Sequence, residues 1–378
     1  MSGLPVARLF GFEIRIHLSW AIILAVIAVT VVSQVGSADP TVPLAARWLI
    51  GGLVAAAFLA SALVHELGHA LAARRSGIGG GTITVYFFGG SAMPDIDAAR
   101  PRDEIVTAAA GPLVSLGVGA VLLGVAGIGA LVGSGPVLAV GQIALVVGVL
   151  NLVLGGLNLL PAFPLDGGRI VRGIFWARTG DPFRATRLAA RSGRFVGWGL
   201  AGIGLIVILA LDTIDGLMVA LCGWFITSAA RQVDRRALLD ELLAGVPVRE
   251  VMDAEVQGVP PGLTIDTFAG QMLDGSASPS QPVMRGRELL GMLGAIQLRR
   301  IRRDRWPETR AEDLMVATGS LPVVGLETPI RQVFDDLRRA DVDGLPVIGA
   351  DGLAGIVTRR AIVDKLKAQA DLRGVTLS

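Results

Sequence analysis

Charge is scarce in this sequence. Only 17% of the 378 residues are Asp, Glu, Lys or Arg, where an ordinary soluble domain carries about a quarter. Cysteine is almost absent. The single one, Cys222, lies in an apolar run, which excludes a disulfide framework and gives no sign of an oxidising compartment. Histidine occurs three times, at 17, 65 and 69. No cleavable leader is read at the start, because the first apolar run is flanked by Arg15 and lacks a small-residue cleavage site. What fills the chain instead is apolar: 52% hydrophobic residues and a mean hydropathy of +0.62. Its fifty glycines sit among Ala, Val and Leu, where small residues let helices pack closely in lipid. The composition predicts a membrane protein.

A helix needs about 20 mainly apolar residues to cross a bilayer. Six stretches qualify, at about 18–36, 46–73, 104–132, 137–160, 194–211 and 214–230. The connections alternate in Lys and Arg content. Those at 37–45, 133–136 and 211–215 have none, while Arg74 and Arg75, Arg100 and Arg102, the stretch from Arg169 to Arg194, and Arg231, Arg235 and Arg236 crowd the others. By the positive-inside rule both termini belong in the cytoplasm. Between the second and third spans, "TITVYFF" is β-branched, aromatic and bounded by glycines. It predicts a re-entrant β-hairpin over 79–93, with a surface loop carrying one strand as the competing reading.

The second span contains "VHELGHALAARR". Ionisable side chains inside a membrane helix are costly and mark a functional site by default. In H-E-x-x-H, His65 and His69 lie one helical turn apart and project from one face at metal-binding separation. Glu66 is not needed as a ligand, and beside a metal it can take a proton from water. A catalytic zinc normally has three protein ligands and an open position. His17, in "RIHLSW" before the first span, reads better as an interfacial or capping residue. Asp166 is the better third donor. It follows Pro161 and Pro164, which break the fourth helix, and precedes Gly167 and Gly168, which permit a tight turn. Its depth, like that of the histidines, is near the Arg-rich ends of the spans.

HELGH in the second span together with "NLLPAFPLDG" at the end of the fourth resembles the site-2 protease family of intramembrane zinc metalloproteases, in its prokaryotic six-span branch with a C-terminal CBS pair. The resemblance covers nearly the whole chain. It implies one Zn2+ held by His65, His69 and Asp166, Glu66 as catalytic base, and Asn158 lining the site to hold substrate or the developing oxyanion. It also implies a place in the cell (plasma) membrane, a single-span membrane protein as substrate, and a cut near that substrate's cytoplasmic end. The Gly-Pro element "AAAGPLVS" fits the family's third span, but the family often has an amide where this chain has Ser115, and Ser115 is assigned no role.

Composition changes after residue 232. A linker over 233–245 leads to two similar stretches, 246–300 and 313–370, each with a short strand, an amphipathic helix and closing strands. Both resemble CBS domains, the second more closely, so the fold class is an α-helical polytopic membrane protein with a cytoplasmic α/β CBS-pair module. Such modules often bind an adenine nucleotide. Thr358 is the candidate contact, but Ala361 stands where the ribose-binding carboxylate is expected, and Gly294 and Gln297 occupy the matching places in the first copy. A structural module that makes a homo-oligomer is the competing reading. The basic run "RRIRRDRW" at 299–306 reads as a solvated face near anionic lipid, with no nucleic-acid partner. Two rivals remain to the protease: a CBS-regulated transporter, against which stands the lack of an inverted repeat or second set of intramembrane charges, and a silent scaffold with a structural metal.

Overall fold

The computed structural model describes residues 3–9, 11–77, 82–85, 100–211, 214–274, 278, 280–350 and 352–372. Two compact units divide the chain, Met1–Ala237 and Leu238–Ser378.

The first unit opens with a hairpin, β1 (Leu4–Leu9) and β2 (Phe12–Ile16), turned at Gly11. Then come α1 (Ser19–Ala38), α2 (Leu44–Arg75), β3 (Thr82–Val85), α3 (Pro101–Val132), α4 (Gly135–Asn158), α5 (Asp166–Thr179), α6 (Pro182–Leu211) and α7 (Asp215–Leu243), whose residues from Leu238 on fall in the second unit. Six of these, α1, α2, α3, α4, α6 and α7, are long and apolar enough to cross a bilayer. The chain is a multi-pass membrane protein.

Three features go beyond the sequence reading. The strand predicted around 82–88 is observed at Thr82–Val85, but it pairs in parallel with β2, Ile83 opposite Ile14, in a sheet of order β1-β2-β3; residues 79–81 and 86–93 of the predicted hairpin lie outside the described residues. Phe12 and Ile14 of β2 are buried, and Phe12 packs with Trp20, Phe58 and Ala62 beside α2. Second, α6 begins at Pro182 rather than 194. Its first turns are amphipathic, burying Ala185, Ala189 and Ala190 while Arg184 and Arg191 are exposed, a pattern a hydropathy average hides. Third, the stretch before it contains α5, and the 233–245 linker is helical as far as Leu243.

His17 behaves as a cap. Its Nδ1 accepts the Ser19 backbone N–H at 3.2 Å, in the first turn of α1.

In the second unit the elements are α8 (Ile265–Leu273), β4 (Ser280–Arg285), β5 (Glu288–Gly294), α9 (Ala295–Leu298), α10 (Ala311–Leu314), β6 (Val316–Ala317), β7 (Val324–Gly325), α11 (Ile330–Ala340), β8 (Gly344–Gly349), β9 (Gly352–Thr358) and α12 (Arg359–Leu372). The β4–β5 and β8–β9 hairpins share one register. Ser280 faces Gly294 and Gly344 faces Thr358, Val283 faces Gly291 and Val347 faces Gly355, each pair displaced by 64 (344 less 280, 358 less 294). The irregularity after Val283 recurs after Val347. Two copies of one unit are therefore present, and Met292 of the first packs among Val324, Leu337, Leu345 and Ile356 of the second. The basic run is partly engaged within this unit: Arg300 pairs with Asp341 at 2.6 Å, and Arg303 lies over the Trp306 ring.

Candidate metal centre

Helix α2 buries one stripe: Val54, Phe58, Ser61 and Ala62, His65, His69 and Ala73. The steps of three and four residues keep these side chains on one face, so burying Phe58 and Ala73 also buries the two imidazoles. Glu66 is only partly buried. It neighbours His69 one turn on and lies within electrostatic reach of both histidines, Asp166 and Arg169.

The third member arrives from 97 residues away. After α4 ends at Asn158 the chain cannot stay helical through Pro161 and Pro164, and α5 restarts at Asp166. A carboxylate in a first turn is favoured by the helix dipole. The turn leaves no room for side chains at the next two positions. A Cβ on Gly167 would stand 2.5 Å from the Leu159 carbonyl oxygen, and one on Gly168 2.6 Å from the Phe163 nitrogen. From behind, Ser192 of α6 donates to the Pro161 carbonyl at 2.8 Å. We expect Gly167→Ala to displace Asp166 and lower zinc affinity roughly 10-fold or more, read by competition with a chromogenic chelator; an unchanged affinity would mean the turn is not what places the carboxylate.

His65 Nε2 and His69 Nε2 are 3.2 Å apart, and they stand 3.3 and 3.2 Å from Asp166 Oδ2. Tetrahedral zinc with bonds of about 2.0–2.1 Å sets neighbouring ligand atoms about 3.3 Å apart. The observed triangle matches one face of that tetrahedron and leaves a fourth direction for water or substrate. Two imidazoles and a carboxylate are a donor set suited to zinc.

The far side of each ring is already engaged. His69 Nδ1 donates to the Thr107 carbonyl at 2.7 Å, which makes its Nε2 the lone-pair nitrogen of the neutral ring. His65 Nδ1 shares a 2.9 Å hydrogen bond with the Ser115 hydroxyl, whose residue is 1% exposed. Both partners are on α3. Between them Gly111 lies flat against the rings. A Cβ there would fall inside contact distance of His69 Nε2, and at 2.8 Å from His65 Nε2. Sequence reasoning noted Gly111 and Ser115 within the Gly-Pro element but gave none of these three a role. Ser115, which it left without a role, orients a ring, as outer-shell partners of metal-binding histidines do. The signal available was the spacing 107, 111, 115 on an apolar helix, one face at steps of four.

Asn158 is not drawn into the triangle. The last residue of α4, it donates to the Leu154 carbonyl of its own helix at 3.0 Å. Thr358 lies in the other unit, where its hydroxyl accepts the Ala361 N–H at 3.2 Å. It borders a cavity of about 480 Å³ with Asp343, Arg359, Arg360, Asp364 and Lys367.

A membrane-embedded triad of two imidazoles and a carboxylate, with a glutamate beside it, defines the class: a zinc metallohydrolase working within a bundle of spanning helices. The profile of Peptidase family M50 matches residues 53–137 and 126–200, and that of the CBS domain matches 311–368. The chain is 32% identical to Rip3 of Mycobacterium tuberculosis over 92% of its own length and 90% of that protein. It is 26% identical to zinc metalloprotease MJ0392 of Methanocaldococcus jannaschii over 80% of its length and 81% of that protein. Among solved structures, the site-2 protease from Methanocaldococcus jannaschii aligns with a TM-score of 0.40 at 26% identity, over 61% of this chain and 95% of that one. This protein belongs to Peptidase family M50, the site-2 type of zinc metalloprotease, with a C-terminal CBS domain.

Proposed function

We propose that residues 1–232 form an intramembrane endopeptidase in which His65, His69 and Asp166 bind zinc and Glu66 is the proton-transferring base. Its substrate is a single-span membrane protein, cut near the cytoplasmic end, and both termini of the protease are cytoplasmic, in the plasma membrane. The pair at 246–300 and 313–370 regulates it. The observation that carries the reading is the triangle of ligand atoms at 3.2–3.3 Å with the remaining ring nitrogens already bonded on the far side.

Zinc in that triangle supplies Lewis acidity toward a carbonyl oxygen and acidifies water. The chain's own groups do the rest. Glu66 accepts the proton of the attacking water and passes it to the leaving amine. Asn158 gives one amide hydrogen to its helix bond, and the second is the donor for a developing oxyanion. Because helical hydrogen bonds shield a substrate's carbonyls, the target must unwind, and β3 offers a place for it. Its one edge pairs with β2, and among the described residues the other edge is unpaired, so an extended peptide can add there as a strand.

Mass spectrometry of membrane fractions from cells carrying either the intact protein or its Glu66→Gln variant tests this. Fragments ending near the cytoplasmic end of a membrane span, present only with the intact protein, are expected. Identical fragment sets would overturn the reading in favour of a transporter or scaffold.

A further inference from the structure

Two ligands of the triangle come preset by helix geometry, four residues apart on α2. The third does not. Asp166 stands on α5, a helix of 14 residues that must be docked to better than an ångström for its oxygen to meet both nitrogens. Proteolysis as described above has no use for Glu104, yet this carboxylate is 0% exposed near the start of α3. A buried charge is costly unless paired. Two arginines of α5 reach it: Arg172 Nη1 donates to Oε1 at 3.0 Å, and Arg169 Nε stands 4.0 Å from the same oxygen.

The spacing is informative on both helices. Asp166, Arg169 and Gly173 are separated by three and four residues, so the metal-facing carboxylate and the more distant of the two arginines share one side of α5, while Arg172, the hydrogen-bonded one, adjoins Gly173. At Gly173 the two helices nearly touch, since a Cβ there would lie 2.5 Å from Ile105 Cγ1 and 3.2 Å from the Pro101 carbonyl oxygen. On α3, Glu104 precedes Thr107, Gly111 and Ser115 by steps of three, four and four. It therefore continues the stripe that orients His69, receives both rings and orients His65. One face of α3 would then fix all three ligands: two through direct bonds to the rings, the third through an ion pair to the helix that bears it.

We infer that Glu104 is a positioning residue for Asp166, acting through Arg172 and Arg169 to hold α5 where the carboxylate completes the zinc site. The inference rests on the reading of Asp166 as a metal ligand. The rival is a structural pair that only neutralises charge, and the two differ in coupling.

Zinc affinity, measured by chelator competition on the full-length protein in detergent, separates them in a double-variant cycle. Glu104→Gln is expected to weaken zinc binding about 10- to 100-fold, the range for lost outer-shell partners. In an Asp166→Ala background the same substitution should change nothing, because the group it positions is gone. Unchanged affinity in the otherwise native protein overturns the inference. So does an equal weakening in both backgrounds, which is how general destabilisation would act. If Asp166→Ala does not weaken binding at all, the ligand assignment fails first and takes this inference with it. Should Glu104→Gln not give folded protein because Arg172 loses its hydrogen-bonded acid, Glu104→Gln with Arg172→Gln removes both charges of that pair and enters the same cycle with the same readings.

Discussion

An alanine at position 111 should give a folded membrane protein that holds almost no zinc. The added methyl carbon has nowhere to go. It would fall inside contact distance of His69 Nε2, 2.6 Å from His69 Cε1 and 2.8 Å from His65 Nε2, at the two nitrogens that must face the metal. Nor can α3 retreat to make room. Farther along, a Cβ on Gly119 would already be 2.7 Å from Leu152 of α4, and one on Gly155 of α4 would be 2.9 Å from the Pro112 carbonyl oxygen. The rings must turn away instead, breaking the bonds to Thr107 and Ser115. Displacement of catalytic groups by an ångström can cost roughly 10²-fold in rate, and loss of the metal costs more. Helix propensity pulls the other way, since alanine is favoured over glycine by about 1 kcal/mol in a helix interior. Gly117→Ala and Gly124→Ala, on the same helix with nothing within 4 Å of the added carbon, are the matched controls. Bound zinc determined by mass spectrometry on purified protein checks the expectation. Full occupancy in Gly111→Ala would show that the rings face elsewhere.

Glu66→Gln should do the reverse, keeping zinc and abolishing cleavage. The triangle of ligand atoms excludes Glu66, and glutamine has nearly the same shape, so metal content should match the parent. What is lost is a group able to take a proton from water and give it up again. General acid–base catalysis contributes about 10²–10⁴-fold, and the residual rate should fall by at least that much on any helical membrane peptide the parent cuts. Equal rates in parent and variant would remove Glu66 as the base. Lost zinc would instead make it a ligand. Together the two variants separate holding the metal from using it.

The centre's outline was legible because its signals are local. An H-E-x-x-H in an apolar helix puts two rings on one face whatever surrounds them, and P-x-x-P-L-D-G-G ends one helix and starts a turn by backbone chemistry alone. The six spans were legible for a similar reason, as length and hydropathy decide them. Relations between elements were harder. Gly111 stood out only as part of a Gly-Pro element, its task hidden until α3 is laid against α2, and Ser115 gains its part only from the ring it meets. Helix α5 hides behind two glycines that lower its local propensity, and packing against α3 overrides them. The β1–β2 hairpin could have been seen. "PVARLFGFEIRI" has a glycine turn between β-rich flanks, but the adjoining apolar run dominates the reading. The repeat in the second unit was visible as a pattern, while its shared register, offset by 64, needed the strand pairing.

X-ray absorption at the zinc edge, on the zinc-loaded full-length protein and its Asp166→Ala variant, tests the His65–His69–Asp166 centre most directly. The parent should show only nitrogen and oxygen neighbours, at about 2.0–2.2 Å, with the multiple scattering of two imidazoles. The variant should keep both imidazoles and lose an oxygen neighbour or bind zinc more weakly. A parent spectrum with sulfur at about 2.3 Å, or a variant indistinguishable from the parent in spectrum and affinity, would contradict the assignment.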